Sequence, residues 1–92
     1  MSVGYKDIVE ALTAENEDAV TADGFEDALI GVAHRFGMSP VALYDREKCI
    51  KILIKLDKTT RAEAEEFFEF NVIGSGLEHA PVFADIYRKP KR

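Results

Sequence analysis

The segment from Thr59 to Gly76, TTRAEAEEFFEFNVIGSG, constrains the fold most because it carries both a start signal and a stop signal for one helix. Thr60 precedes Glu63 by three residues, so each side chain can bond the backbone amide of the other in a capping box. Gly74 can adopt the left-handed conformation that often ends a helix. Between these signals, apolar residues recur at helical spacing and predict one buried face: Ala64, Phe67, Phe68 and Val72.

The same helix contains three phenylalanines, Phe67, Phe68 and Phe70. Each can bury roughly 150–250 Å², which is enough to dominate a small core. We therefore expect them in the core, and the alternative is that Phe68 or Phe70 faces a partner. Asn71 follows at the helix end, where its amide can bond loop backbone, with ligand contact as the alternative.

The N-terminal part of the chain predicts two further amphipathic helices. The first covers about residues 3–14, because its apolar residues follow helical spacing: Tyr5, Ile8, Val9 and Leu12. The second covers about residues 24–36, where an apolar stripe of the same period runs from Phe25 to Phe36. Asp23 offers a cap at its start and Gly37 a stop at its end.

The middle of the chain predicts a strand followed by a helix. The segment PVALY, residues 40–44, follows a Ser-Pro pair and is rich in β-branched and aromatic residues. Asp45 can then cap a helix over about 46–57, although KCIKILIKL also has isoleucines that alternate as they would in a strand. Near the C-terminus, Pro81 begins VFADIY, which predicts a second short strand.

These elements predict a small helical α+β domain in the order α-α-β-α-α-β. Two antiparallel helices between the strands would let the strands pair as one antiparallel two-stranded ribbon. Because a lone ribbon is marginally stable in water, we expect it to pack on the helices. The whole chain, residues 1–92, is expected to form a single domain with a flexible basic tail at 88–92.

The charge is negative and unevenly distributed. The net charge is −5, but the last five residues hold four of the basic side chains, which leaves eight basic against 17 acidic ones, or −9, in residues 1–87. An acidic body repels a phosphate backbone, so we expect no nucleic-acid partner. The sequence also lacks a signal-peptide pattern and a long apolar run, which predicts a cytoplasmic protein without membrane contact.

Several residue patterns resemble a family of small uncharacterised proteins found in phages and prophages. The patterns are an aspartate near the start of the second predicted helix (DALIG), VALYD with a cysteine four positions later, and EAEEFFEFNVIGSG followed by PVF. They cover roughly residues 25–84. The chain departs from the family's E-F-N-V-x-G-A…T-P-V-F wording at Ser75 and at His79-Ala80, and it has Asp57-Lys58 where Gly-Met is customary. The resemblance implies a host cytoplasmic location and no particular activity.

The candidate partner-binding residues combine an acidic helix face with nearby aromatic and amide groups: Glu65, Glu66, Glu69, Phe70, Asn71 and Tyr44. We expect a non-enzymatic interaction module that binds a host or viral protein. Electrostatics favours a basic partner, because complementary charge speeds the encounter of two proteins.

Two alternatives from other classes stay open. One is a metal-assisted or acid–base enzyme that uses Glu66, Glu69 and His79, provided that these groups approach within hydrogen-bond reach. The other is a structural homo-oligomer that pairs through an exposed strand edge. No cofactor or metal site is expected, because the glutamates lack the Glu-x-x-His pattern of a di-metal helix pair. Cys49 lies in an apolar helix, which predicts a buried, inert thiol.

Overall fold

The computed structural model describes residues 4–71 and 79–87, without the side chains of Phe70 and Asn71. The elements in chain order are helix α1 (Tyr5–Glu15), a 3-10 turn (Glu26–Ala28), strands β1 (Leu29–Arg35) and β2 (Met38–Asp45), helices α2 (Arg46–Asp57) and α3 (Arg61–Asn71), and strand β3 (Val82–Ala84). The α+β class is confirmed, but the predicted element order is wrong. Across the described ranges, no helix has both the length and the apolar character needed to cross a membrane.

The predicted second helix is the main error. Residues 24–36 form the 3-10 turn and β1 instead, and β1 pairs antiparallel with β2 through partners such as Val32 with Ala42. Gly37 has a φ of +75°, which suits the tight turn between the two strands. Gly31 would destabilise a helix by about 1 kcal/mol relative to alanine. In the strand, the backbone of this segment instead bonds to β2, and these partners cannot be predicted from the periodicity of the segment itself. Of the residues spaced for one helix face, Phe25, Ala28 and Leu29 are buried, whereas Phe36 is exposed at the turn between the strands.

The predicted two-stranded antiparallel ribbon is also corrected. The sheet has three strands in the order β1-β2-β3, and β3 runs parallel to β2 with Tyr44 opposite Phe83. Glu69 of α3 lies beside Arg46 at the end of β2, whereas His79 lies near Pro40 towards the start of that strand. The segment that begins at His79 therefore enters the sheet from the Pro40 end of β2, so β3 runs in the same direction as β2.

The predicted helix boundaries in the second half hold well. Asp45 caps α2 by accepting a hydrogen bond from the Lys48 amide at 3.3 Å, so the helical interpretation of KCIKILIKL is confirmed. The capping box of α3 is present, with the Thr60 amide donating to Glu63 at 3.0 Å and the Glu63 amide donating to Thr60 Oγ1 at 3.2 Å. The predicted helix stop at Gly74 and the basic tail at 88–92 lie outside the described residues.

The core lies where α1, α2 and α3 meet the sheet, and it is built around aromatic contacts. Phe68 is fully buried, with its ring 6.4 Å from that of Phe25 and 4.9 Å from that of Phe83, both edge-on. Tyr44 stacks on Phe83 at 5.3 Å. Cys49 is also fully buried, and burial raises the pKa of its thiol to about 12, which agrees with the predicted inert thiol.

Candidate functional site

Two glutamates of α3 are paired with arginines, and the first of them, Glu65, is held by Arg61. The Arg61 guanidinium donates to both carboxylate oxygens of Glu47 at 2.6 and 2.7 Å, and its Nε donates to Glu65 at 2.9 Å. The hydrogen bonds from Arg61 lower the pKa of Glu47, and the two carboxylates raise the pKa of Arg61. Glu65 is therefore part of an ion-pair network in which one arginine is shared by two carboxylates.

Arg46 binds the C-terminal end of α3 through Glu69. Its guanidinium lies 3.4 Å from Glu69 and 3.6 Å from Asp85, and it sits 5.7 Å from the centre of the Phe68 ring. One arginine at the start of α2 thus links α3 to the segment after β3. Glu69, like Glu65, thus shares one arginine with a second carboxylate.

A groove between α2 and α3 collects the other carboxylates of this region. It has a volume of about 520 Å³, and we call it the α2–α3 groove; its lining comprises Leu53, Asp57, Thr59, Glu63, Ala64, Glu66 and Phe67. Leu53 and Ala64 are buried, whereas Phe67 leaves 48% of its surface exposed. The groove therefore joins an apolar base and a partly exposed aromatic ring to three acidic side chains.

The acidic side chains of the groove have little compensation. Within residues 4–71 and 79–87, neither Asp57 nor Glu66 forms a salt bridge. Glu63 uses one oxygen to cap the Thr60 amide. Carboxylates that share a concave surface reinforce one another's field, so the groove attracts cations.

Thr59 adds an unsatisfied polar group to the groove. Its Oγ1 is buried and has no hydrogen-bond partner in the described part of the chain. A buried hydroxyl without a partner costs about 1–3 kcal/mol. This cost belongs to the folded chain itself, because an oxygen without accessible surface is out of reach of a ligand in this conformation.

The predicted partner-binding residues differ in their burial and in their contacts. Tyr44 is fully buried, and its hydroxyl accepts a hydrogen bond from the Ala22 amide at 2.8 Å, so it is a core residue that no partner can reach in this fold. Glu65 and Glu69 lie on the surface but are paired with arginines. Glu66 is the predicted residue that lines the groove. The side chains of Phe70 and Asn71 lie outside the described residues.

Sequence reasoning missed most of the groove, namely Leu53, Asp57, Thr59 and the exposure of Phe67. One signal was available. Asp57 ends one helix and the capping residues of the next follow within three positions, so the helix ends had to lie close together. The rotation of α3 about its axis, which exposes Phe67 and buries Phe68, could not be predicted from local spacing, because both residues fit an apolar helix face.

His79 belongs to a different cluster, centred on the buried Asn16. The Asn16 amide nitrogen donates to the Pro40 carbonyl at 2.8 Å and to His79 Nδ1 at 3.1 Å, and its oxygen accepts from the Asp18 amide at 3.1 Å. The His79 carbonyl accepts from the Val20 amide at 3.1 Å. This cluster fixes the loop after α1 to β2 and to the segment before β3.

The three residues of the enzyme alternative are not brought together by these contacts. His79 is anchored beside Pro40, whereas Glu69 is anchored by Arg46, which lies six residues further along the chain. At a rise of about 3.3 Å per strand residue, the two anchors are on the order of 15–20 Å apart. In the two described ranges, no group of three or more His, Cys, Asp or Glu side chains is arranged to hold a metal ion.

Comparisons with known proteins add no relative: no family model, no curated protein and no solved structure matches this chain. The resemblance to phage and prophage proteins therefore depends on the sequence patterns alone.

Proposed function

We propose that this protein is a non-enzymatic interaction module that binds a basic partner protein through the α2–α3 groove. The observation that carries the proposal is the combination in one concave surface of a half-exposed phenylalanine with carboxylates that lack a salt bridge among the described residues. Aromatic residues that are partly exposed beside a pocket are typical anchors of protein interfaces.

The overall charge supports the same type of partner. With a net charge of −5, the protein attracts a basic protein at long range and repels an acidic one. The resemblance to phage and prophage proteins leads us to propose that the partner is a host or viral protein in the host cytoplasm. Such an interaction weakens as salt rises, because the Debye length shortens to about 8 Å at physiological ionic strength.

The test is an affinity capture from host lysate at low and at high salt, followed by direct titration of the purified candidate. We expect a basic partner whose affinity falls at least tenfold when Asp57 and Glu66 are both changed to lysine. The matched control combines Glu10→Lys with Glu15→Lys, which makes the same charge change of two acidic residues to lysine at exposed positions of α1. Equal binding by all three proteins would refute the assignment of the groove.

A second candidate function, homo-oligomerisation, is favoured by the β1 edge. Within the described ranges β1 pairs only with β2, and apolar side chains are exposed along this hairpin at Ile30, Phe36 and Met38. An edge strand with exposed apolar residues can pair with a second copy. Light scattering at increasing protein concentration tests this: a constant monomer mass excludes it, whereas a dimer that Ile30→Lys dissociates supports it.

A further inference from the structure

We infer that the α2–α3 groove binds an amphipathic helix of the partner, which inserts one large apolar side chain and places lysine or arginine one turn away on the same face. This inference rests on the proposed function, and it adds the conformation and the chemistry of the bound segment. It follows from the size of the groove, from the helical backbone of its walls and from the positions of its carboxylates.

The volume and the lining define the apolar anchor. About 520 Å³ falls in the range of protein sites that enclose a small molecule, so the groove has room for one or two large side chains. Leu53 and Ala64 form an apolar base, and the half-exposed Phe67 lies beside them. An apolar side chain that enters here covers the exposed part of the Phe67 ring, which removes apolar surface from water.

The walls of the groove favour a helix over an extended peptide. An extended segment leaves its backbone amides and carbonyls to be satisfied by a partner, usually at the edge of a sheet. The groove is walled by α2 and α3, whose interior backbone groups are engaged within their own helices, so it offers no sheet edge with which an extended segment could pair. A helix brings its backbone hydrogen bonds with it and presents only side chains, as in other helix-in-groove complexes.

The charges specify the flanking residues. Glu63 and Glu66 are three positions apart on α3, which is a rise of about 4.5 Å along the helix. Asp57 lines the same groove from the end of α2. Basic side chains at positions three or four apart on a bound helix have the same spacing, so they can meet carboxylates of both walls while the apolar residue lies between them.

The carboxylates that favour a basic segment also disfavour an anionic ligand. A phosphate-bearing ligand would bring negative charge towards three carboxylates, which excludes nucleic acid and anionic lipid as preferred occupants.

Two synthetic peptides of identical composition test the inference by fluorescence anisotropy. In one peptide leucine, phenylalanine and lysine are placed to form an amphipathic helix, and in the other the same residues are scrambled to remove the amphipathic face. We expect the helical peptide to bind at least tenfold more tightly, and its binding to fall at least tenfold in Phe67→Ala and severalfold in Glu66→Gln.

Two control variants separate the groove from its surroundings. Leu56→Ala removes an apolar side chain that is 67% exposed on α2 and does not line the groove, and Glu65→Gln removes the carboxylate paired with Arg61. Both are expected to bind the helical peptide within twofold of the unmodified protein. Far-UV circular dichroism confirms that each variant is folded before its affinity is compared.

The outcomes distinguish the two proposals. If both peptides bind equally and the lysine variants at Asp57 and Glu66 weaken both, the groove is an acidic docking surface and the helical occupant is wrong. If neither peptide binds, or if Phe67→Ala leaves binding unchanged, the inference also fails. The proposed function itself fails if no basic partner is captured from lysate, or if the captured partner binds the protein independently of the groove residues.

Discussion

Two adjacent phenylalanines in α3 provide the sharpest stability prediction, because the structure assigns them opposite roles. Phe68 has no exposed surface and contacts the rings of Phe25 and Phe83, whereas Phe67 is 48% exposed beside the groove. Phe68→Ala removes a fully buried ring and leaves a cavity, which costs about 3–5 kcal/mol. Phe67→Ala removes a ring that is about half in contact with water, so we expect a loss of about 0.8–1.5 kcal/mol, half of the value for full burial.

Urea denaturation followed by far-UV circular dichroism measures both effects. Domains of this size have free energies of unfolding of about 5–15 kcal/mol, so Phe68→Ala removes a large part of the total. With an m-value of about 1–3 kcal/mol/M, its unfolding midpoint falls by at least about 1 M. The orientation of α3 would be refuted if the two variants were destabilised equally, or if Phe67→Ala were the more costly change. The α2–α3 groove would then lose its aromatic residue.

Three further predictions follow from individual contacts. Tyr44→Phe removes the acceptor of the Ala22 amide and should cost about 1–2 kcal/mol in the same urea assay; no change would contradict this hydrogen bond. Thr60→Ala removes the hydroxyl that caps the Glu63 amide and should cost about 1 kcal/mol, whereas Thr60→Ser should restore most of it. Cys49 should resist a thiol reagent at pH 8 until urea is added. Because folding raises the pKa of this thiol from 9.0 to about 12, the unfolded chain loses its proton first, so stability should fall as pH rises from about 9 towards 12. Rapid labelling of the native protein would contradict the burial of Cys49.

The sequence predicts those elements that carry their own boundary signals. Asp45 begins α2 and the Thr60–Glu63 pair begins α3, and both caps act over three residues, so they can be identified without the fold. The strand at residues 40–44 is also present as part of β2. The buried position of Cys49 follows from the apolar surroundings that its helix already displays.

The missed features depend on contacts between distant residues. The segment from Leu29 to Arg35 has helical periodicity, yet it forms a strand because β2 pairs with it. The parallel direction of β3 depends on which end of β2 lies beside His79, and the sequence of neither strand specifies this. In both cases the hydrogen bonds that determine the structure join two different segments, whereas residue spacing describes only one segment at a time.

The candidate site was predictable only in outline for the same reason. An acidic helix face is visible in the sequence, but the sequence does not show which of its glutamates are paired. Arg46 pairs with Glu69 and Arg61 pairs with Glu65. Glu66 lines the groove instead. The interpretation of Tyr44 as a partner contact failed because the strand that carries it lies in the middle of the sheet.

The most direct test of the central claim is chemical-shift mapping by NMR with the basic amphipathic peptide. We expect the backbone amide shifts to change mainly in residues 53–67, which contain both walls of the α2–α3 groove, and to saturate with a single affinity. Changes concentrated on β1 and its turn at Phe36, with the groove unaffected, would contradict the account and place the interaction surface on the hairpin.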